Sequence, residues 1–138
     1  MPRSIDELLE EVRARYERIV AVTAALERDG GALLVDTRPV EYRREHGEIP
    51  GAITVGLDVL EWRLDPQCPS RIAEATDHDR RVILVCRQGY SSSLAVGRLL
   101  DLGLHRATDV IDGVEGWVAA GLPLTATAPA GLARSPPE

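Results

Sequence analysis

One stretch constrains the fold of this chain more than any other: the unbroken apolar run Val82-Ile83-Leu84-Val85, which stops at Cys86. A short, mostly β-branched run of this kind suits a strand buried on both faces of a parallel sheet better than a half-exposed hairpin strand. Beyond it, Gln88-Gly89-Tyr90 breaks the strand. Ser91 to Ser93 then offer N-cap side chains to a second apolar pattern at Ala95, Val96, Leu99 and Leu102, which Gly103 closes. The spacing therefore predicts a thiol held in a tight turn between a buried strand and the start of a helix.

That position has chemical meaning. The N–H groups of such a turn and of the first helical turn have no intrahelical partners and favour an anion on the concave side of the loop. A free cysteine titrates near ~8.5 and is only a few per cent thiolate at neutral pH, so a nucleophile here needs its thiolate stabilised. The loop amides, with Arg87 beside the thiol, are the groups expected to do so. A cysteine that merely packed at a strand end would explain neither Arg87 nor the Gly89 turn.

Composition sets the outer limits. With 138 residues, 44% hydrophobic and 28% charged, the chain has the length of one domain and the make-up of an ordinary globular protein. The sequence contains no apolar stretch of the ~18 residues that a membrane span requires, and Met1 to Glu10 lacks an apolar signal region, so the expected location is the cytoplasm. Two cysteines, Cys68 and Cys86, make neither a disulfide framework nor a zinc site, and no metal is expected. A net charge of −6 argues against nucleic acid as a partner.

In chain order, Ser4 and Glu7 form a capping-box pattern ahead of Leu8, Leu9, Val12 and Tyr16, predicting a helix from Ser4 to about Tyr16. Ile19 to Ala21 reads as a short strand, and Thr23 as the cap of a helix ending at Gly30-Gly31. Ala32 to Val35 is a second buried strand, broken at Asp36-Thr37-Arg38-Pro39. Residues 42–48 are dense in charge and read as a short solvated helix or loop. Ile53 to Val55 forms a strand and Leu57 to Leu64 a short helix. Cys68, between prolines and away from any strand end, is incidental. Ala107 to Ile111 is the last strand, and Gly113 opens a helix that ends at Gly121. Trp62 and Trp117 are expected to pack, and His46 to be solvated. The organisation expected is a helical extension over 1–18, one α/β domain over 19–124, and a flexible Thr/Ala/Pro/Gly/Ser-rich tail over 125–138. Strands that alternate with helices indicate a mostly parallel sheet, whose ligands bind at the carboxyl ends of strands; Cys86 and Asp36-Thr37-Arg38 both lie there.

Four of these segments, in order, resemble the rhodanese family of sulfurtransferases over about Ile19 to Leu124. Leu34-Val35-Asp36-Thr37-Arg38 is similar to the family's strand ending in Asp-x-Arg, and Gly47-Glu48-Ile49-Pro50-Gly51-Ala52 to its Gly-His-Ile-Pro-Gly-Ala signature. Cys86 through Ser92 resembles its active-site loop, and Gly113 through Trp117 its closing Gly-x-x-x-Trp helix start. Glu48 departs from the usual histidine, a change expected to affect local packing more than chemistry.

The resemblance implies a three-layer α/β/α domain with a five-stranded parallel sheet and a ping-pong reaction without metal or organic cofactor. Cys86 is then the catalytic residue. Arg87, Gln88, Gly89, Tyr90, Ser91 and Ser92 form the loop that binds substrate and persulfide, and Asp36 and Arg38 support it by bracing nearby loops, with direct contact to the donor as the alternative. The implied partners are a small anionic sulfur donor such as thiosulfate and a thiophilic acceptor: cyanide, a thiol or a protein. Tyr90 sits at the loop tip, where an aromatic facing solvent would select the acceptor, and its role stays open. Two other readings stay open. A related branch of the fold holds phosphatases, whose longer loop carries an arginine where this chain has Ser92, so the phosphate clamp is missing. Alternatively, the chain is a persulfide carrier or interaction module with low thiosulfate turnover.

Overall fold

The computed structural model describes residues 1–126. The N-terminal helix α1, Ile5–Arg13, opens with Ser4 and Glu7 in a reciprocal capping box, as the pattern predicts, but it ends at Arg13 instead of running on toward Tyr16. Helix α2, Ala21–Asp29, starts directly after Val20 with no side-chain cap, so Thr23 lies inside the helix and does not cap it. This early start also removes the expected strand at Ile19 to Ala21. Only Ile19 remains extended, bridging Val110 in parallel.

The sheet accordingly has four strands, with order β2-β1-β3-β4, where five were expected. β1 is Leu33–Asp36, β2 Ile53–Thr54, β3 Val82–Val85 and β4 Thr108–Asp109. All pairings are parallel. Leu33 sits opposite Val82, and Asp36 opposite Val85, so both central strands end level with each other. Helices α3 (Val40–His46), α4 (Leu60–Leu64), α5 (Ser91–Asp101) and α6 (Gly113–Ala119) fill the connections.

Both central strands are buried throughout, because alternate residues serve two separate cores. Leu33, Val35, Val82 and Leu84 face Leu60, Leu64, Val96 and Leu99 of α4 and α5. Leu34, Ile83 and Val85 face Ala24, Val114 and Trp117 of α2 and α6. Each such side chain withdrawn from water contributes roughly 1.5–3 kcal/mol, and together the two cores make the three-layer α/β/α arrangement. Trp117 is fully buried and donates its indole N–H to the Pro123 carbonyl at 3.0 Å. Trp62 does not pack as expected: it is 58% exposed on the outer face of α4. Arg43 is likewise buried within the supposedly solvated charged segment, because its guanidinium pairs with both Glu48 oxygens at 2.8 and 2.9 Å. Of the tail expected over 125–138, Thr125 forms an antiparallel bridge with Glu48, and the residues from 127 onward lie outside those described.

Candidate active site

β3 carries Cys86 to the carboxyl end of the sheet, and α5 begins at Ser91, so the five residues from Cys86 to Tyr90 must turn the chain within a short span. Gly89 makes this turn possible. Its φ is +88°, and a Cβ there would meet the Asp112 nitrogen at 2.9 Å. The outward side of the loop is taken up by carbonyl contacts. The Cys86 carbonyl accepts the Val114 N–H at 2.8 Å and the Arg87 carbonyl the Glu115 N–H at 3.2 Å. In a trans peptide the N–H points opposite to the carbonyl, so anchoring these oxygens on α6 turns the Arg87 and Gln88 amides to the loop's inner side.

The sulfur meets donors there. Gly89 N–H reaches Cys86 Sγ at 3.2 Å, and Ser92 Oγ lies 3.2 Å away. Burial pushes the thiol pKa up, but the Ser92 hydroxyl and amide, the Ser91 hydroxyl and the Gly89 amide together outweigh it and hold the pKa below its ordinary value. Hydroxyls and amides are the groups that favour the anionic form of this sulfur. Arg87 does not take the part expected of it in this balance: its side chain is 60% exposed, 3.7 Å from Glu115. Gln88 also turns outward to Glu115, at 3.3 Å.

Ser91 to Ser93 do not cap α5 as expected. The N-cap position falls on Tyr90, and the serines are turned to other work. Ser92 and Ser93 donate to Asp109 Oδ2 at 2.7 and 2.8 Å. Ser92 has a single hydroxyl proton. While the thiol is protonated it donates to Ser92 Oγ and Ser92 donates to Asp109; when the sulfur is anionic, the same proton can turn to it. Asp109 can release that bond because Ser93, Tyr16 and Arg18 still donate to it.

Asp36 and Arg38 lie together at the end of β1. They are fully buried, paired through Oδ2 and Nη2 at 2.7 Å, and Arg38 also donates to the Gly47 carbonyl at 2.9 Å. Arg38 stands 5.5 Å from the Tyr42 ring centroid, and Arg87 5.1 Å from the same ring. His46 is exposed but stacked on Tyr42 at 3.9 Å. These rings, with Val114, Val118 and Leu124, line a groove of about 450 Å³ beside Arg87. A second hollow of about 380 Å³ lies under Gln88 and the 59% exposed Tyr90. A further one of about 500 Å³, lined by Glu27, Arg80 and Arg106, is at the opposite end of the sheet and includes no residue of the Cys86 to Ser92 loop. Cys68 sits half-buried in its own loop, accepting only the Ser70 N–H at 3.4 Å. Among the described residues no cluster of His, Cys, Asp or Glu could hold a metal ion, and no helix is long and apolar enough to cross a membrane.

The structure thus gathers Cys86, Gly89, Ser91 and Ser92 on one sulfur, leaves Arg87, Gln88 and Tyr90 around the mouth, and joins Asp36 and Arg38 to each other. Sequence reasoning missed Tyr16, Arg18, Ser93 and Asp109. One signal was available: Asp109 lies inside the mostly apolar run Ala107 to Ile111, where an acid needs a partner.

Residues 20–120 match the family model described as Rhodanese-like domain. A thiosulfate sulfurtransferase GlpE from Actinobacillus succinogenes is 32% identical over 67% of this chain and 75% of its own length. An adenylyltransferase and sulfurtransferase MOCS3 from Arabidopsis thaliana is 30% identical over 63% of this chain, which spans only 20% of that larger protein. Among solved structures, a Rhodopseudomonas palustris protein of unknown function, described as a possible tyrosine phosphatase, superposes with a TM-score of 0.80 at 28% identity, covering 90% of this chain and 96% of its own.

Proposed function

Because the chain belongs to the rhodanese-like sulfurtransferase family, we propose that Cys86 carries a sulfane sulfur as a persulfide between an anionic donor, with thiosulfate as the first candidate, and a thiophilic acceptor. In the first half-reaction the Cys86 thiolate attacks the outer sulfur of thiosulfate. The sulfur–sulfur bond of the donor breaks, its electron pair leaves with sulfite, and the enzyme keeps an anionic persulfide. In the second, cyanide or a thiolate attacks that terminal sulfur, and the bonding pair returns to Cys86 as thiolate. No electron is gained or lost overall.

The observation that carries this reading is the set of donors around Cys86 Sγ: the Gly89 amide, with Ser91 and Ser92, lowers the thiol pKa despite burial. The same inward-facing amides suit the negative charge of a persulfide. Arg87, exposed at the mouth, supplies a cation to draw in an anionic donor. Asp36 and Arg38 act as a brace, since their charges are spent on each other. A reducing compartment, with the cytoplasm as the natural choice, keeps the two free thiols available.

A second reading has its own support. The exposed Tyr90 and the aromatic groove beside Arg87 offer more surface than a diatomic acceptor such as cyanide uses, which favours hand-over of the sulfur to a protein. Phosphate-ester chemistry has less: where a phosphate loop needs a guanidinium, Ser92 is buried and bonded to Asp109.

Intact mass of the reduced protein after incubation with thiosulfate, beside Cys86→Ser, tests the proposal. Gain of one sulfur by wild type only, removed by cyanide with thiocyanate formed, supports it. No gain, or gain by both proteins, overturns thiosulfate chemistry at Cys86.

A further inference from the structure

The segment ahead of the family match, residues 13–18, reaches the back of the sulfur loop. Arg13 ends α1 and donates through Nη2 to the Gly89 carbonyl at 2.6 Å and through Nε to Ser93 Oγ at 2.9 Å. Arg18 donates to the same carbonyl at 3.0 Å and to both Asp109 oxygens, at 2.9 and 3.2 Å. Tyr16 donates to Asp109 Oδ1 at 2.8 Å. One backbone carbonyl of the loop is thus held by two guanidinium groups, and the carboxylate that orients Ser92 is held by the neighbouring tyrosine and arginine.

The consequence follows from peptide geometry. The Gly89 carbonyl and the Tyr90 N–H belong to one planar trans unit and point in opposite directions. Two cations pulling the oxygen outward therefore aim the Tyr90 N–H toward the inner side of the loop and polarise it as a donor. The Val114 and Glu115 amides do the same for the Cys86 and Arg87 carbonyls. α6 thus orients the first half of the loop, and residues 13–18 the second. The charge balance acts in the same direction. Arg18 is matched by Asp109, whereas Arg13 has no carboxylate within ion-pair reach among the described residues, leaving one positive charge behind the loop.

We propose that Arg13 and Arg18 are positioning residues for sulfur transfer: they fix the Gly89–Tyr90 peptide so that its amide, and the positive charge behind it, stabilise the anionic sulfur on Cys86. The proposal rests on Cys86 carrying the sulfur. It gives residues 13–18 a part in the chemistry that a family match beginning at residue 20 does not include.

The test compares wild type with Arg13→Gln, Arg13→Lys and Arg18→Lys, all in a Cys68→Ser background so that only Cys86 is alkylated. Glutamine keeps a donor without charge. Lysine at 13 keeps the charge on a similar stem. Lysine at 18 still neutralises Asp109 but cannot also reach the Gly89 carbonyl with a second arm. The other charged groups around the loop, Arg87 and Glu115 at its mouth, Asp112 near Arg18, Asp109 beneath and the Asp36–Arg38 pair at β1, are the same in all four proteins.

The readouts are the pH profile of iodoacetamide alkylation, kcat and KM for thiosulfate, and melting temperature. In Arg13→Gln and Arg18→Lys the profile moves to higher pH, alkylation at neutral pH slows roughly three- to tenfold, and kcat falls with little change in KM. Arg13→Lys recovers part of the loss. Should Arg13→Gln fail to fold, Arg18→Lys carries the same expectation. Wild-type profiles in the folded variants, with only a lower melting temperature, would overturn the proposal and leave the arginines as staples for α1. The alkylation profile needs no sulfur donor, so a wild type that takes no sulfur from thiosulfate fails the functional reading without deciding this one.

Discussion

Gly113 lies directly against the backbone of Cys86: a Cβ added to Gly113 would come within 2.3 Å of the Cys86 carbonyl oxygen and 2.8 Å of the Arg87 carbonyl. Its φ of +57° is also in the left-handed region. This close approach lets the first amides of α6 take the loop's outward carbonyls and leaves its N–H groups to the sulfur.

Gly113→Ala should therefore disturb stability and reactivity together. The left-handed φ alone costs a non-glycine residue about 1 kcal/mol, and the contact with Cys86 adds to it by pushing α6 off the loop. A lower urea midpoint with slower alkylation of Cys86 is the expected result. Unchanged alkylation in a destabilised variant would separate α6 from the orientation of the loop.

Ser92→Ala removes the hydroxyl at 3.2 Å from Cys86 Sγ and leaves Asp109 with its other donors. The thiolate loses a donor, so the Cys86 pKa rises and alkylation at neutral pH slows roughly three- to tenfold. Stopped-flow alkylation against pH measures this directly, and Ser92→Thr, which keeps the hydroxyl, should retain most of the rate.

The lowered Cys86 pKa has a thermodynamic signature. Between the folded and unfolded pKa values the unfolded chain holds the proton and the native state does not, so stability rises with pH across that window. The stability of wild type relative to Cys86→Ala should thus grow from neutral to alkaline pH, level off above the unfolded thiol value of ~8.5, and shrink as pH falls through the folded value. Urea titrations of both proteins at several pH values read the difference; a flat difference would mean that the native thiol is not depressed.

Asp36 and Arg38 are buried and spend their charges on each other. Arg38→Met strands a carboxylate in the interior and should cost about 3–5 kcal/mol by chemical denaturation, whereas the double change Asp36→Asn with Arg38→Met should recover much of it. A single variant of near-wild-type stability that has lost sulfur uptake would instead make Arg38 a contact for the donor.

Much of this protein is determined by local sequence. The Val82 to Val85 run, the Leu33 to Val35 run and the capping box at Ser4 each carry their conformation in a few neighbouring residues, and the corresponding elements are present. The setting of Cys86, the proposed nucleophile, was legible for the same reason: a strand end, a glycine turn and a helix start are all written within one short stretch. What the tertiary structure decided is which groups meet the sulfur from far along the chain. Arg13 and Gly89 are 76 residues apart, and Ser92 and Asp109 17. The serines read as helix caps became sulfur and carboxylate partners because Asp109 arrives beneath them on β4, and a buried carboxylate claims hydroxyl protons more strongly than a helix terminus open to water does. The fifth strand shrank to Ile19 because α2 had to start at Ala21 to cover Leu34 and Ile83. Spacing along the chain encodes a turn and a helix; only packing decides which distant charge stands behind them.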